Sequence, residues 1–118
     1  VILVDTSVWV EHLRGGSGRL RDLLHDEQVF CHPFIIGELA CGNLRNRAEV
    51  LRLLGTLPEA RIAEHHEALH LVDSAHLHGR DLGWIDVHLL ASAVITGCAL
   101  WTGDVRLQRA AKVLKVSA

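Results

Sequence analysis

The chain opens on Val1-Ile2-Leu3-Val4-Asp5-Thr6-Ser7, and this stretch restricts the possible folds more than any other. Four consecutive apolar residues, three of them β-branched, read as a short strand buried on both faces. Such a strand belongs in a parallel sheet covered by helices. Asp5 follows where the strand must end, and Thr6 and Ser7 then offer hydroxyls suited to capping a helix. Ligands bind at the carboxyl ends of strands in open parallel α/β sheets. The strand therefore delivers a carboxylate to the edge where chemistry is done. Taken alone, Asp5 is read more plainly as a turn residue.

The rest of the chain repeats the alternation. Val8, Trp9 and Leu13 mark a first helix, broken by Gly15-Gly16-Ser17-Gly18. That cluster lacks the Lys-Ser/Thr of a phosphate-binding loop and the spacing of a dinucleotide fingerprint, so it is a turn. Leu20, Leu23 and Leu24 share a face of the next helix, which leads to a strand at Gln28-Val29-Phe30-Cys31. Pro33 suits the first turn of a helix whose apolar stripe is Ile35, Ile36, Leu39 and Ala40, with Glu38 on its flank one turn beyond Phe34. A helix is expected from Leu44 to Leu54, a minor strand at Ala60-Arg61-Ile62, and a helix from Glu64 to His78 stopping at Gly79. Gly83-Trp84-Ile85 reads as a turn. Val87 to Ile95 is a nearly all-apolar helix, central and buried, that Gly97 ends. Cys98-Ala99-Leu100-Trp101 is the next buried strand, and a last helix carries Leu107, Ala110, Ala111 and Leu114. Strands alternating with helices predict an α/β fold with a parallel sheet sandwiched by helices. With no internal repeat or linker, residues 1–118 are expected to form a single domain.

Composition sets limits on function. Hydrophobic content of 49% beside 22% charged residues indicates a globular chain rather than a disordered one. No apolar run approaches the roughly 20 residues that span a membrane, and no signal peptide is visible. Val1 begins inside a strand, as though a start residue or short leader had been trimmed. Cys31, Cys41 and Cys98 are odd in number, lack CxxC spacing and lie in apolar stretches, which predicts reduced, mostly buried thiols and a cytoplasmic location. A net charge of −2 gives no global attraction to nucleic acid. The twelve basic residues are nonetheless mostly arginine, whose planar fork suits phosphate, although solvated helix faces account for most of them.

Two carboxylates fall at strand ends, Asp5 and Asp104, each beside a threonine, Thr6 and Thr102. Asp86 falls at a helix start, where its plain role is an N-cap, and Glu38 lies in the early turns of a helix after a strand. Together the four can converge on one edge of the sheet. Four carboxylates in one cleft repel and raise one another's pKa. Hard divalent cations such as Mg²⁺ or Mn²⁺ resolve that conflict, and one or two such ions can activate water and stabilise a leaving oxygen in phosphoryl displacement.

The ordered set Val4-Asp5-Thr6-Ser7, Gly37-Glu38-Leu39, Ile85-Asp86-Val87-His88-Leu89-Leu90-Ala91 and Thr102-Gly103-Asp104 resembles the PIN-domain ribonucleases, in particular VapC-type toxins of toxin–antitoxin pairs. The resemblance extends across essentially the whole chain. It implies a parallel sheet of about five strands sandwiched by helices, metal-dependent RNA cleavage, a homodimer and silencing by a cognate antitoxin. It also implies that Asp5, Glu38, Asp86 and Asp104 are the catalytic, metal-binding quartet, with Thr6 and Thr102 in support. A metal-held water would attack the scissile phosphorus, leaving a 5′-phosphate and a 3′-hydroxyl. His88 departs from the aliphatic residue usual at that helix position. The dimer is expected through the first helix, where Val8 and Trp9 stand together, and its leucine-rich neighbouring helices.

A rival motif is His66-Glu67-Ala68-Leu69-His70, the HExxH of zinc peptidases. His66 and His70 share a helix face, and His76 stands where the extended motif places a third ligand. Yet Asp73 replaces the required glycine, a continuing helix would turn His76 about 240° from His70, and the chain has no methionine for a Met-turn. Solvent-facing histidines are the preferred reading. Among the tryptophans, Trp101 is expected in the core and Trp9 in the core or a dimer interface. Trp84 beside Asp86 has a face on which a base can stack. The functional alternatives are a receiver-like phospho-acceptor module and a non-catalytic PIN fold. The first lacks a lysine at a late strand end, since Lys112 and Lys115 lie in or after the last helix. The presence of all four acids argues against the second.

Overall fold

The computed structural model describes residues 1–118. At its centre β1 (Ile2–Val4) lies between β2 (Val29–Phe30) and β3 (Ala99–Trp101), all parallel, in the order β2-β1-β3. Ile2 pairs with Val29 on one side and Ala99 on the other, and Val4 pairs with Trp101. The opening strand is therefore the middle of the sheet, consistent with Leu3 and Val4 being fully buried. Seven helices complete the α/β fold: α1 (Thr6–Gly15), α2 (Gly18–His25), α3 (Pro33–Cys41), α4 (Arg47–Leu54), α5 (His65–Ser74), α6 (Trp84–Thr96) and α7 (Val105–Val113).

The sheet has three strands where about five were expected. Two further segments touch its edges through single bridges, Cys31 with Glu59 and Leu100 with Ser117. The minor strand at Ala60–Ile62 does not form. Cys31 donates to Pro58 O and accepts from Ala60 N, both at 2.9 Å, but Arg61 N then donates to the Thr96 hydroxyl at 2.8 Å and the ladder stops. On the other edge Leu100 donates to Val116 O and accepts from Ala118 N, and nothing continues the pairing.

Helix boundaries follow local chemistry. Pro33 occupies the first turn of α3 and Ser17 caps α2 through Leu20 N. Gly97 ends α6 in the left-handed conformation (φ 76°, ψ 35°), as a glycine beyond a last turn does. Two expected helices are shorter than periodicity suggested. Asn46 adopts φ 54°, which detaches Leu44 and Arg45 from α4, and α5 stops at Ser74 before His76 with φ 53°. Conversely, α6 begins at Trp84, so the expected turn at Trp84-Ile85 is its first helical turn.

Helix α6 is the core helix that its composition predicts, with Val87 through Ala93 all buried. Leu89, Leu90, Leu100, Leu3 and Leu107 are at most 2% exposed, each contributing about 1.5–3 kcal/mol by removal from water. Val8 and Trp9 belong to this core, so the apolar pair expected to form a dimer interface is consumed within one chain. Trp101 is only half-buried, with the Arg19 guanidinium 4.3 Å from its ring centroid. Cys31 and Cys98 are buried free thiols and Cys41 is exposed. Burial pushes the Cys31 thiol up to about 11.

His32 is fully buried at the N-cap of α3, where its Nδ1 accepts Phe34 N–H at 3.0 Å. That bond places the ring proton on Nε2, which has no partner. Burial, and then the charge of His88, lower its pKa to about 4. The unfolded chain takes up a proton near pH 6.5, whereas folded His32 resists it until about 4. Its contribution is thus intact above pH 6.5 and is lost as pH falls toward 4, a total of roughly 3 kcal/mol. Urea unfolding of wild type and His32→Asn, which keeps the capping acceptor, should show a smaller loss for the variant between pH 6.5 and 4. Parallel pH profiles would contradict the assignment.

Candidate active site

The parallel ladder continues one residue past β1, where Asp5 N donates to Trp101 O at 2.9 Å. This brings the chain after β1 beside the chain after β3. Asp5, rather than Thr6 or Ser7, is the N-cap of α1, its Oδ1 accepting Thr6 N–H at 2.8 Å. Its Oδ2 accepts the Thr102 hydroxyl at 2.7 Å and the Ser7 hydroxyl at 3.3 Å. Both hydroxyls are in turn held by the β3–α7 turn: Asp104 N–H donates to Thr102 Oγ1 at 3.1 Å, and Gly103 N–H to Ser7 Oγ at 2.9 Å. Asp5 and Thr102 are buried, so the bond between them is shielded from water, whereas Ser7 and Gly103 are exposed.

The other acids arrive from three elements. Thr6 donates its hydroxyl to Glu38 Oε1 at 2.7 Å, joining α1 to α3. Asp104 caps α7, its Oδ1 accepting Arg106 and Leu107 N–H at 2.8 and 3.1 Å. Asp86 is not an N-cap; it is the third residue of α6, and its Oδ2 reaches back to Gly83 N–H at 2.9 Å. Burial pushes the Asp86 carboxyl up, partly countered by the Gly83 N–H, and the charges of Asp5 and Asp104 push it further. Asp86 therefore feels the charges of Asp5 and Asp104 across one sheet edge, while Glu38 is tied to that edge through Thr6. Ser7 was read only as a capping hydroxyl. Its bonding to Asp5 and Gly103 depends on β3, which local sequence does not reveal.

No three His, Cys, Asp or Glu side chains come close enough to form a closed cage. Asp86 Oδ1, Asp104 Oδ2 and Glu38 Oε2 nevertheless accept no hydrogen bond from the chain. Separated, all-oxygen anionic donors with free lone pairs suit a hydrated hard cation, since Mg²⁺ keeps several waters and needs only one or two carboxylates. The donor set fits a divalent ion. Beside it a groove of about 430 Å³ runs from Thr6 and Glu38 to Arg14 and Arg45. Phe34 and Trp84 are the large aromatic residues most exposed, at 36% and 39%. Both contact His88, with ring centroids 5.0 and 4.8 Å away. His88 is thereby packed as a buried aromatic, which accounts for its place in an otherwise aliphatic run.

The acids thus stand just after β1, on α3, on α6 and in the β3–α7 turn, at the carboxyl edge of the parallel sheet. The family model described as PIN domain matches residues 2–113, and the chain belongs to that family. It is similar to Ribonuclease VapC32 of Mycobacterium tuberculosis, in both strain CDC 1551 / Oshkosh and strain ATCC 25618 / H37Rv. Each is 49% identical over 111 residues, covering 93% of this chain and 90% of the relative. No helix is long and apolar enough to cross a membrane.

The HExxH segment forms no comparable site. His66 and His70 are exposed on α5, and the Glu67 carboxylate accepts Glu64 N–H at 2.9 Å in a capping box. His76 lies beyond the helix end. Zinc analysis and melting of a His66→Ala/His70→Ala variant should therefore show no loss of bound metal and a fold within about 0.5 kcal/mol of wild type; coupled loss of zinc and stability would restore the motif.

The hydrogen bonds separate two acids that the sequence treats alike. At pH 7 with EDTA, Asp86→Asn should raise the melting temperature, because a charge held in an unfavourable place is removed. Asp5→Asn should lower stability by about 1–3 kcal/mol, because its amide cannot serve both hydroxyls and the Thr6 N–H equally. Melting temperatures that move together would show that the two acids share one environment.

Proposed function

We propose that this chain is a Mg²⁺- or Mn²⁺-dependent endoribonuclease, the toxin of a toxin–antitoxin pair, with Asp5, Glu38, Asp86 and Asp104 as its catalytic and metal-binding residues. The observation that supports this most is the meeting of Asp5, Asp86 and Asp104 at one sheet edge, each with a different backbone anchor. The similarity to Ribonuclease VapC32 supports RNA as the substrate class and an antitoxin as partner.

A bound divalent ion supplies compensation of the phosphate charge and acidification of a water. The chain's own residues prepare the place. Thr102 and Ser7 orient the Asp5 carboxylate, Thr6 orients Glu38, and the α7 cap fixes Asp104. Asp86, the acid most disfavoured as an anion, gains most from a nearby positive charge. Trp84, on the first turn of the helix that carries Asp86, offers a base a partly exposed ring. The same resemblance implies a homodimer. Its interface would not use the buried Val8 and Trp9; Leu69 on α5 and Val94 on α6 are exposed apolar alternatives. The whole chain is read as one domain in the cytoplasm.

The test is cleavage of total RNA by wild type and Asp86→Asn, each with Mn²⁺ and with EDTA. Wild type should cut only with metal, and Asp86→Asn should lose roughly 10²–10³ in rate. Cutting that persists in EDTA, or a fully active Asp86→Asn, would overturn the reading.

A further inference from the structure

Three arginines outside the acidic edge have no acidic partner. The protein's ion pairs are Arg52 with Glu49 and His66 with Glu64. Arg80, Arg106 and Arg109, with Ala110, line a depression of about 300 Å³. Arg106 and Arg109 stand three apart on α7 and so share a face. Arg80 comes from the loop before α6, where its Nε donates to His76 O at 2.9 Å. This bond leaves its terminal nitrogens free. Three arginines lining one solvent-filled space bring like charges to it, a repulsion that a bound anion would offset. In a chain of net charge −2 such a patch is a local exception to the overall field.

Its position matters as much as its charge. Arg106 lies two residues after Asp104, and its own N–H donates to the Asp104 carboxylate. Arg80 precedes Gly83, the residue that anchors Asp86. The depression therefore lies between the two segments that deliver Asp86 and Asp104. We propose that Arg80, Arg106 and Arg109 form a phosphodiester-binding subsite that holds the backbone of a single-stranded RNA flanking the bond to be cut. This rests on the endoribonuclease reading. Guanidinium forks match phosphate oxygens bidentately, and a strand seated at the acidic edge carries further phosphates to either side of it.

The test is fluorescence anisotropy of a labelled single-stranded RNA 20-mer in EDTA across a salt series. It compares wild type with the triple variants Arg80→Gln/Arg106→Gln/Arg109→Gln and Arg80→Lys/Arg106→Lys/Arg109→Lys, with melting temperature as the control for folding. The glutamine variant should bind about tenfold to a hundredfold more weakly. Its plot of log K against log salt should be shallower by about 2, at roughly 0.7 per arginine for a single strand. The lysine variant should recover the slope, because charge rather than shape sets it. Equal slopes for wild type and the glutamine variant would overturn the subsite. Inorganic phosphate or poly-glutamate displacing the RNA at equal charge concentration would also overturn it, the former marking a general anion site and the latter an acidic protein partner. Binding needs no catalysis, so failure of RNA cleavage in Mn²⁺ would count against the nuclease reading separately from this result.

Discussion

The buried hydrogen bond from the Thr102 hydroxyl to Asp5 Oδ2, 2.7 Å long, is the interaction on which the rest of the acidic edge depends. It joins the residues that follow two adjacent parallel strands. A charged acceptor makes it one of the stronger bonds available to a hydroxyl. Through it, the position of Asp5 fixes Thr102, Thr102 holds Asp104 N, and Asp104 starts α7. The Ser7 hydroxyl runs a parallel connection to Gly103. The result is a double link between the start of α1 and the start of α7, made entirely at the sheet's carboxyl end.

That arrangement explains how like charges are held close without a counter-ion supplied by the protein. Each aspartate is given a backbone N–H, Thr6 N for Asp5, Gly83 N for Asp86, and Arg106 and Leu107 N for Asp104, while Glu38 accepts the Thr6 hydroxyl. Such donors favour the ionised form, and three of the acids lie in first turns or caps of helices, where the helix dipole also favours negative charge. The opposition is only partly cancelled, as the raised pKa of Asp86 shows. A pocket with residual negative potential and oxygen donors selects for cations by its unresolved imbalance.

Sequence made much of this legible because the key elements are local. A β-branched run followed by Asp-Thr-Ser specified the central strand and the edge it leads to, and the apolar stretch from Val87 specified the buried helix. What remained hidden depends on long-range register. Asp86 read as an N-cap because its partner Gly83 lies three residues back, inside a stretch that resembled a turn. About five strands were expected where three form, because two edge segments make only single bridges, Cys31 with Glu59, where Arg61 then bonds Thr96, and Leu100 with Ser117. Val8 and Trp9 looked surplus on one helix, yet the core of the single chain buries both. The arginine depression joins residues 26 and 29 positions apart, a relation that no local pattern carries.

The order of the strands has a consequence for synthesis. β1, made first, is the middle strand, and both of its flanking partners are parallel, so neither can be a hairpin neighbour. Asp5 acquires Thr102 only after 97 further positions of chain, when β3 has been made and has docked. Until then the opening segment has a carboxylate but no Thr102 hydroxyl to hold it. The acidic edge is complete only once contacts of long sequence separation have formed.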